Sequence, residues 1–429
     1  MEASLLEILE ARERRAARQR QLLEEHGRPL VCFTMNIPGP EKDGPLIRRG
    51  FQLGLGLLEK VLGHRCRFRE VRCTPGGWEA FLAVDMDAGE LKRLTADLED
   101  RAPGGRVFDM DVLTKEGKLS RGGLGLPERK CLLCREPALV CGRSRAHSVS
   151  QLREATFRLI RTGLREEIAR LAVESLLCEV YATPKPGLVD QRGSGSHRDM
   201  DLFTFLSSTA ALWPYFRRCA EIGLDAGNPE TAFGALRRAG LEAEKRMLRA
   251  TGGVNTHKGA IFTLGLLCCA AGMAEPEEWR EPEVLCGLCA RMTKDLTRKE
   301  LAGKNAFRTA GERIYREYGI AGARGQAEAG FPGALTGLAA IREGLDRGLS
   351  LNDALCRSLL RIMAETADTN LIHRGGMEAQ KWVWEILKTD PDPETLCREF
   401  QIRNLSPGGA ADLLAAACFL LLIHGIQLR

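Results

Sequence analysis

The spacing of apolar and polar positions changes character once along this chain, near residue 149. Before that point, residues 1–26 alternate Leu and Ile with Glu and Arg at helical spacing, which predicts an amphipathic helix. Leu30–Ile37 reads as a strand stopped by Pro38-Gly-Pro40, and Leu46–Leu62 as a helix with Arg48 and Arg49 in its first turn. Two strands, Arg65–Cys73 and Glu79–Asp85, are joined by Pro75-Gly-Gly77. A helix over Ala88–Arg101 closes at Pro103-Gly-Gly105, and Arg106–Leu113 is a last short strand. The order α-β-α-β-β-α-β predicts a compact α+β domain with a mostly antiparallel or mixed sheet.

After about Val149 strand signals nearly vanish. Helical patterns run over Gln151–Tyr181, Phe203–Gly223, Pro229–Ala250, Gly259–Ala274, Val284–Leu301, Asn305–Tyr318, Gly333–Gly348, Leu351–Asp368, Glu378–Leu387 and Asp412–Gly425. Between them lie six glycine-containing connections: 183–190, 196–201, 251–259, 322–330, 368–376 and 404–409. Each combines glycines with charged or hydroxyl side chains, and function collects in such connections on a rigid scaffold. The carboxylates Asp190, Asp199, Glu328 and Asp368 alternate there with Lys185, Lys258, Arg324 and Arg374. That mixture suits a triphosphate with Mg²⁺ in a polar cleft between helices.

Composition narrows this little. At 429 residues, two or three domains are expected, and 44% hydrophobic with 28% charged residues is ordinary for a soluble globular protein. A net charge of +5 is too small and interspersed to argue for nucleic-acid binding. The longest apolar runs, Ile261–Met273 and Leu413–Ile423, fall short of a membrane span. The first residues carry no secretory pattern, and fifteen cysteines, an odd number, then point to reduced thiols in a cytoplasmic protein.

Three stretches carry candidate chemistry. In Thr251-Gly-Gly-Val-Asn-Thr-His-Lys-Gly259, Asn255 or Thr256 can cap the outgoing helix, while His257 and Lys258 gather positive charge at a helix start that already favours anions. The alternative is a glycine turn between core helices. Asp109 and Asp111, two apart on one strand, share a face and repel unless a cation lies between them, which suits Mg²⁺; the alternative is two solvated aspartates at an edge. Cys131, Cys134, Cys141 and His147 could form a tetrahedral Zn²⁺ site, or be reduced thiols in a helix-turn region. Arg129, Arg135, Arg143 and Arg145 around them suit phosphate or pyrophosphate.

Residues 165–429 closely resemble the triphosphoribosyl-dephospho-CoA synthase family of the citrate lyase system. The matching words are Pro184-Lys-Pro-Gly-Leu-Val-Asp190, His197-x-Asp-Met200, Gly253-Val-Asn-Thr-His-Lys-Gly259, Gly322-Ala-Arg-Gly325, Ala327-Glu-Ala-Gly330, Asp368-Thr-Asn370, Arg374-Gly-Gly376 and Asn404-Leu-Ser-Pro-Gly-Gly409. Gln326 departs from the family pattern, where Glu is expected. Residues 1–160 resemble the citrate lyase prosthetic-group transferase family, through Met35-Asn-Ile-Pro-Gly-Pro40, Arg106-x-x-Asp-x-Asp-Val112, Ser120-Arg121 and Arg129-x-Cys-Leu-x-Cys134 with Cys141 and His147.

The resemblance implies a nucleotidyltransferase-like α+β domain followed by an all-α domain, and two linked reactions. The all-α domain would join ATP to 3′-dephospho-CoA with loss of adenine. The α+β domain would transfer the product to a serine of the citrate lyase acyl carrier subunit, releasing pyrophosphate. For these steps the candidate catalytic groups are the carboxylates Asp190, Asp199, Asp368 and Glu328, with His197 as an acid or orienting group for adenine. Lys185, Asn255, Thr256, His257, Lys258, Arg324 and Arg374 would hold the triphosphate, and Asp109 and Asp111 would hold Mg²⁺ with Arg48, Arg49 and Arg121 on phosphates. Two rival readings are a Mg²⁺-dependent glycohydrolase of ADP-ribose-type bonds and a zinc-stapled binding module at the N-terminus.

Overall fold

The computed structural model describes residues 4–275, 277–302 and 309–425. The chain divides into two units, Met1–Glu167 and Ile168–Arg429.

The first unit runs α1 (Leu5–His26), β1 (Leu30–Met35), α2 (Pro45–Leu62), β2 (Cys66–Thr74), β3 (Gly77–Val84), α3 (Ala88–Arg101), β4 (Phe108–Thr114), β5 (Gly117–Lys118), α4 (Ala138–Ser144) and the start of α5 (Val149–Tyr181). Strand order is β2-β3-β1-β4-β5 with every described pairing antiparallel. β1 is buried from Leu30 to Phe33 because it is central and covered on both faces. Leu22 and Leu23 of α1 cover Leu30, Cys32, Phe81 and Ala83 on one face. On the other face Phe33 stacks on Phe51 of α2 at 4.9 Å and meets Phe108 edge-on at 5.6 Å. The helix can approach this closely because position 54 is glycine; a Cβ there would stand 2.5 Å from the Phe33 ring.

Past its short pairing with β5, β4 has a free edge that side chains close. The Met110 N–H donates to Glu99 Oε1 at 2.7 Å, and Lys92 Nζ donates to the Met110 carbonyl at 3.0 Å, all of them buried. A glutamate and a lysine of α3 thus stand where another strand would pair.

The second unit is helical among its described residues. It comprises the rest of α5, then α6 (Leu202–Asp225), α7 (Pro229–Ala250), α8 (Lys258–Met273), α9 (Pro282–Met292), α10 (Leu296–Glu300), α11 (Ala310–Tyr318), α12 (Gly322–Glu328), α13 (Pro332–Asp346), α14 (Leu351–Glu365), α15 (Thr369–Leu387), α16 (Pro393–Ile402) and α17 (Gly408–Ile423). The two apolar runs form α8 and α17, whose side chains are buried nearly all round. No described helix is long and apolar enough to cross a membrane.

Several expectations need correction. The single helix expected over Val284–Leu301 is two: Thr293 folds its hydroxyl back onto the Cys289 carbonyl, and Asp295 takes a left-handed φ of 61° between α9 and α10. The expected helix Asn305–Tyr318 is seen from Ala310; its beginning lies outside the described residues. The connection read over 368–376 is the start of α15, capped by Asp368 and broken at Gly376, where φ is 69°. Likewise 322–328 is the short helix α12. Helices α4 and α16 and strand β5 are additional.

Candidate functional site

In the helical unit, residues from all six glycine-containing connections line one cavity of about 340 Å³, within the range of small-molecule sites. Lys185, His197, Asn255 to Gly259, Gln326, Asp368 and Arg374 all face it. Three helix starts converge there. The first turns of α8, α15 and α17 direct backbone N–H groups without intrahelical acceptors toward this region.

Two buried carboxylates answer those starts. Asp368 Oδ1 accepts from the Asn370 and Leu371 N–H groups at 2.7 and 3.3 Å, and Oδ2 from Ala410 N–H at 2.8 Å, so one side chain caps α15 and α17 together. Asp412, from α17, accepts from Ala260 N–H at the start of α8. Position 259 must be glycine for this: a Cβ would sit 1.8 Å from Asp412 Oδ2. The α8 start, where the sequence reading placed a phosphate, is thus also met by the protein's own Asp412 side chain. Burial raises both acids above the usual carboxylate range, and the nearby Glu179 and Asp368 charges push Asp412 further.

Lys185 also departs from its expected role. Only 3% exposed, it donates from Nζ to the Glu179 carboxylate and carbonyl, each at 2.6 Å. It anchors a third buried carboxylate, Glu179, which also lines the cavity. Sequence reasoning missed Glu179 and Asp412 because each lies inside an apolar helical pattern, whose only signal was a charge on a face that should be buried.

His257 is buried, and Thr256 Oγ1 donates to Ser208 Oγ at 2.7 Å. Ser208 Oγ lies 2.7 Å from His257 Nδ1. The Thr256–Ser208–His257 chain fixes the ring's orientation through Nδ1. Nε2 is buried without a hydrogen-bond partner in a residue that lines the cavity. Burial, reinforced by Lys185, lowers the His257 pKa to about 3, so the ring is neutral. His197 is likewise a neutral brace, lowered by burial and by Arg374. Arg374 donates to its Nδ1 at 3.1 Å, which leaves Nε2 to donate to Ser406 Oγ at 2.9 Å. Arg374 also binds the Ser196 carbonyl at 3.0 Å and Asn404, tying three connections together.

Asn255 Oδ1 accepts from Lys258 N–H at 3.3 Å, the expected cap of α8. Lys258 itself pairs with Glu244 at 2.9 Å. Four expected residues do not line this cavity. Asp190 is buried and accepts from the Lys185 and Arg192 N–H groups at 3.0 and 2.8 Å, which pins its own turn. Glu328 caps α10 through Thr297 N–H at 3.1 Å. Arg324 pairs with Glu300 at 2.8 Å in an adjoining cavity that shares Lys258, Gly259 and Ala323. Asp199 is exposed, acting on His197 and Arg374 only through its charge. Gln326 accepts from Gly333 N–H at 3.0 Å and so caps α13, a task that glutamate could equally perform.

In the α+β unit, Asp109 and Asp111 share the α1 face of β4, opposite Thr34 and Cys32 of β1. Burial and the Asp111 charge raise Asp109 above the usual range. Their cationic partners are Arg129, 3.4 Å from Asp109, and Lys118, 2.6 Å from Asp111. The expected arginines are engaged elsewhere. Arg48 binds Asp43 and lies over Trp78, Arg49 is half-buried in the same turn, and Arg121 binds Glu99 and Asp100 at 2.5 and 2.8 Å. Two hard oxygen donors on one face, one held above its ordinary pKa by burial and then by the other's charge, fit a divalent cation, with the exposed Lys118 able to swing aside.

Two units carrying separate polar sites define a protein with two chemical centres. A family model described as ATP:dephospho-CoA triphosphoribosyl transferase (CitG) matches residues 165–428, and one described as apo-citrate lyase phosphoribosyl-dephospho-CoA transferase (CitX) matches residues 3–162. Protein CitXG of Haemophilus influenzae is 34% identical over 98% of this chain and 97% of its own length. Protein CitXG of Leuconostoc mesenteroides subsp. cremoris is 33% identical with the same coverage. A probable 2-(5″-triphosphoribosyl)-3′-dephosphocoenzyme-A synthase of Albidiferax ferrireducens is 42% identical over 60% of this chain and 91% of its own. The chain belongs to the CitXG family, in which the two transferases are one polypeptide, and is a bifunctional transferase of citrate lyase prosthetic-group biosynthesis.

Proposed function

We propose that the helical unit binds ATP in the cavity lined by all six connections and transfers its triphosphoribosyl group to the 2′-hydroxyl of 3′-dephospho-CoA. The observation that carries this is the convergence of three helix starts, three buried carboxylates and the unpartnered His257 Nε2 on one cavity. In the reaction the ribose C1′–N9 bond breaks, its electron pair leaving with adenine, and a bond forms from C1′ to the 2′-oxygen. The hydroxyl proton passes to a carboxylate and an equivalent proton neutralises adenine. Glu179, held by Lys185, takes that proton. Asp368 and Asp412 fix the helix starts around the phosphates, and the Glu179 carboxylate favours the positive charge that develops at C1′. The unpartnered His257 Nε2 hydrogen-bonds the bound nucleotide, and His197 with Arg374 holds the cavity rim.

The α+β unit is of nucleotidyltransferase type in this reading. It moves the phosphoribosyl-dephospho-CoA group to a serine of the apo-citrate lyase acyl carrier subunit, with pyrophosphate leaving. Asp109 and Asp111 would hold Mg²⁺, which supplies charge neutralisation at the leaving phosphates. Arg129 orients Asp109, and Lys118 neutralises Asp111 until the ion binds.

The test is to incubate the protein with ATP, Mg²⁺ and 3′-dephospho-CoA and to follow adenine and the mass of the CoA product. Adenine appears only with both substrates present, together with a heavier CoA derivative. Adenine released from ATP alone would instead support the glycohydrolase reading.

A further inference from the structure

The geometry points to a structural Zn²⁺ bound by Cys131, Cys134, Cys141 and His147, and we propose that this ion locks the segment that carries Arg129 against Asp109. One donor atom from each residue lies within 4.8 Å of all the others. Cys134 Sγ stands 3.3 Å from Cys141 Sγ, and His147 Nε2 stands 3.4 Å from Cys134 Sγ. A zinc tetrahedron with arms of about 2.3 Å has edges of about 3.8 Å, so modest closing and opening of these distances admits the ion. Three thiolates and one imidazole select zinc over hard cations.

The backbone is shaped for the same purpose. Cys131 N–H donates to the Glu136 carbonyl at 2.8 Å and Ala138 N–H to the Arg129 carbonyl at 2.8 Å, folding the Cys-x-x-Cys turn into a tight knuckle. Within it, the Leu133 N–H points at Cys131 Sγ at 3.5 Å, the N–H to sulfur contact that supports a metal-bound thiolate. Cys141 arrives on α4 and His147 just before α5, so four ligands come from three short pieces of chain that otherwise share little apolar packing. Leu133, Leu139 and Val140 are exposed, which leaves no hydrophobic core to hold the excursion together.

Arginines join the knuckle to β4. Arg106 reaches the Lys130 and Cys131 carbonyls at 2.5 and 3.4 Å. Arg129 donates to the Arg106 and Phe108 carbonyls at 2.9 and 2.8 Å and pairs with Asp109. Removing the ion would therefore release the guanidinium that orients Asp109.

The experiment uses the full chain, purified under reducing conditions without chelators. Mass-spectrometric metal analysis is expected to find one zinc per chain, and Co²⁺ exchange should give the visible and near-ultraviolet bands of a tetrahedral thiolate site. Cys134→Ser and Cys141→Ser should each lose the metal. His147→Cys should keep it with a shifted Co²⁺ spectrum, which separates ligation from misfolding. A metal-free chain that takes up neither Zn²⁺ nor Co²⁺ while its thiols react freely would overturn the site, as would a Cys134–Cys141 disulfide in the native protein. A second arm rests on the N-terminal reaction proposed above: stripping the zinc should abolish transfer to the acyl carrier subunit and leave adenine release unchanged. Transfer that survives zinc removal would overturn the link to Asp109, whereas a wild-type chain with zinc but no transfer would count against the proposed reaction.

Discussion

Glu179 is the residue on which catalysis and burial are hardest to separate. It is ion-paired with Lys185 in the interior, and removing one partner of such a pair costs about 3–5 kcal/mol because the other is left charged and unpaired. Glu179→Gln is expected to reduce adenine release by about 100-fold or more, the usual contribution of a general base, and also to lower the melting temperature. Glu179→Gln combined with Lys185→Met removes both charges; it should recover stability but not activity, which assigns the activity loss to proton transfer. Active double-variant protein would sink the assignment.

His257 makes a separate statement about pH. Its folded pKa near 3 lies below its unfolded value of 6.5, so the unfolded chain binds the extra proton. Its contribution to stability is complete above pH 6.5 and is lost as pH falls toward 3, by about 1.4 kcal/mol per pH unit within that window. Urea unfolding of wild type and His257→Gln between pH 4.5 and 7.5 should show wild type losing stability more steeply; equal slopes would contradict the buried neutral ring. The sequence suggested a cation at a helix start for His257, and the structure places a buried neutral ring in the cavity wall. It could not show that the fold would bury the ring completely, with Ser208, 49 positions earlier, against its Nδ1.

At the scale of elements, sequence periodicity sees a helix wherever a face is apolar. It therefore located α5 to α8, α13 and α14 closely. It failed where polar residues build helices: α12 and the start of α15 look like loops until Asp368 caps the latter. The same blindness hid the closest approach in the site. Gly259 reads as a turn glycine, yet its missing Cβ is what lets α17 deliver Asp412 to the start of α8. Gly259→Ala should improve intrinsic helix propensity and still destabilise the protein, by about 1–3 kcal/mol of overpacking, with loss of adenine release. A more stable, fully active Gly259→Ala protein would mean that Asp412 does not occupy that position.

At the scale of the whole molecule, the two chemistries reside in different units and should be separable by mutation. Asp109→Asn is expected to accumulate the triphosphoribosyl derivative without loading the carrier subunit, and Glu179→Gln to load it only when that derivative is supplied. Mixed together, the two variants should regain carrier loading through the diffusing intermediate, read as holo-carrier mass against time. A mixture that stays inactive would show that the intermediate never leaves the polypeptide on which it forms.

The closure of β4 by Glu99 and Lys92 has a bearing on how such a chain fares at high concentration. A bare sheet margin is a template on which a neighbouring molecule can crystallise its own backbone, the first step toward fibrils. Here, at Met110, the template is already occupied by two side chains that no neighbour can match. Replacing Glu99 and Lys92 with alanine would reopen that seam, turning a quiet flank of the molecule into a site of self-association.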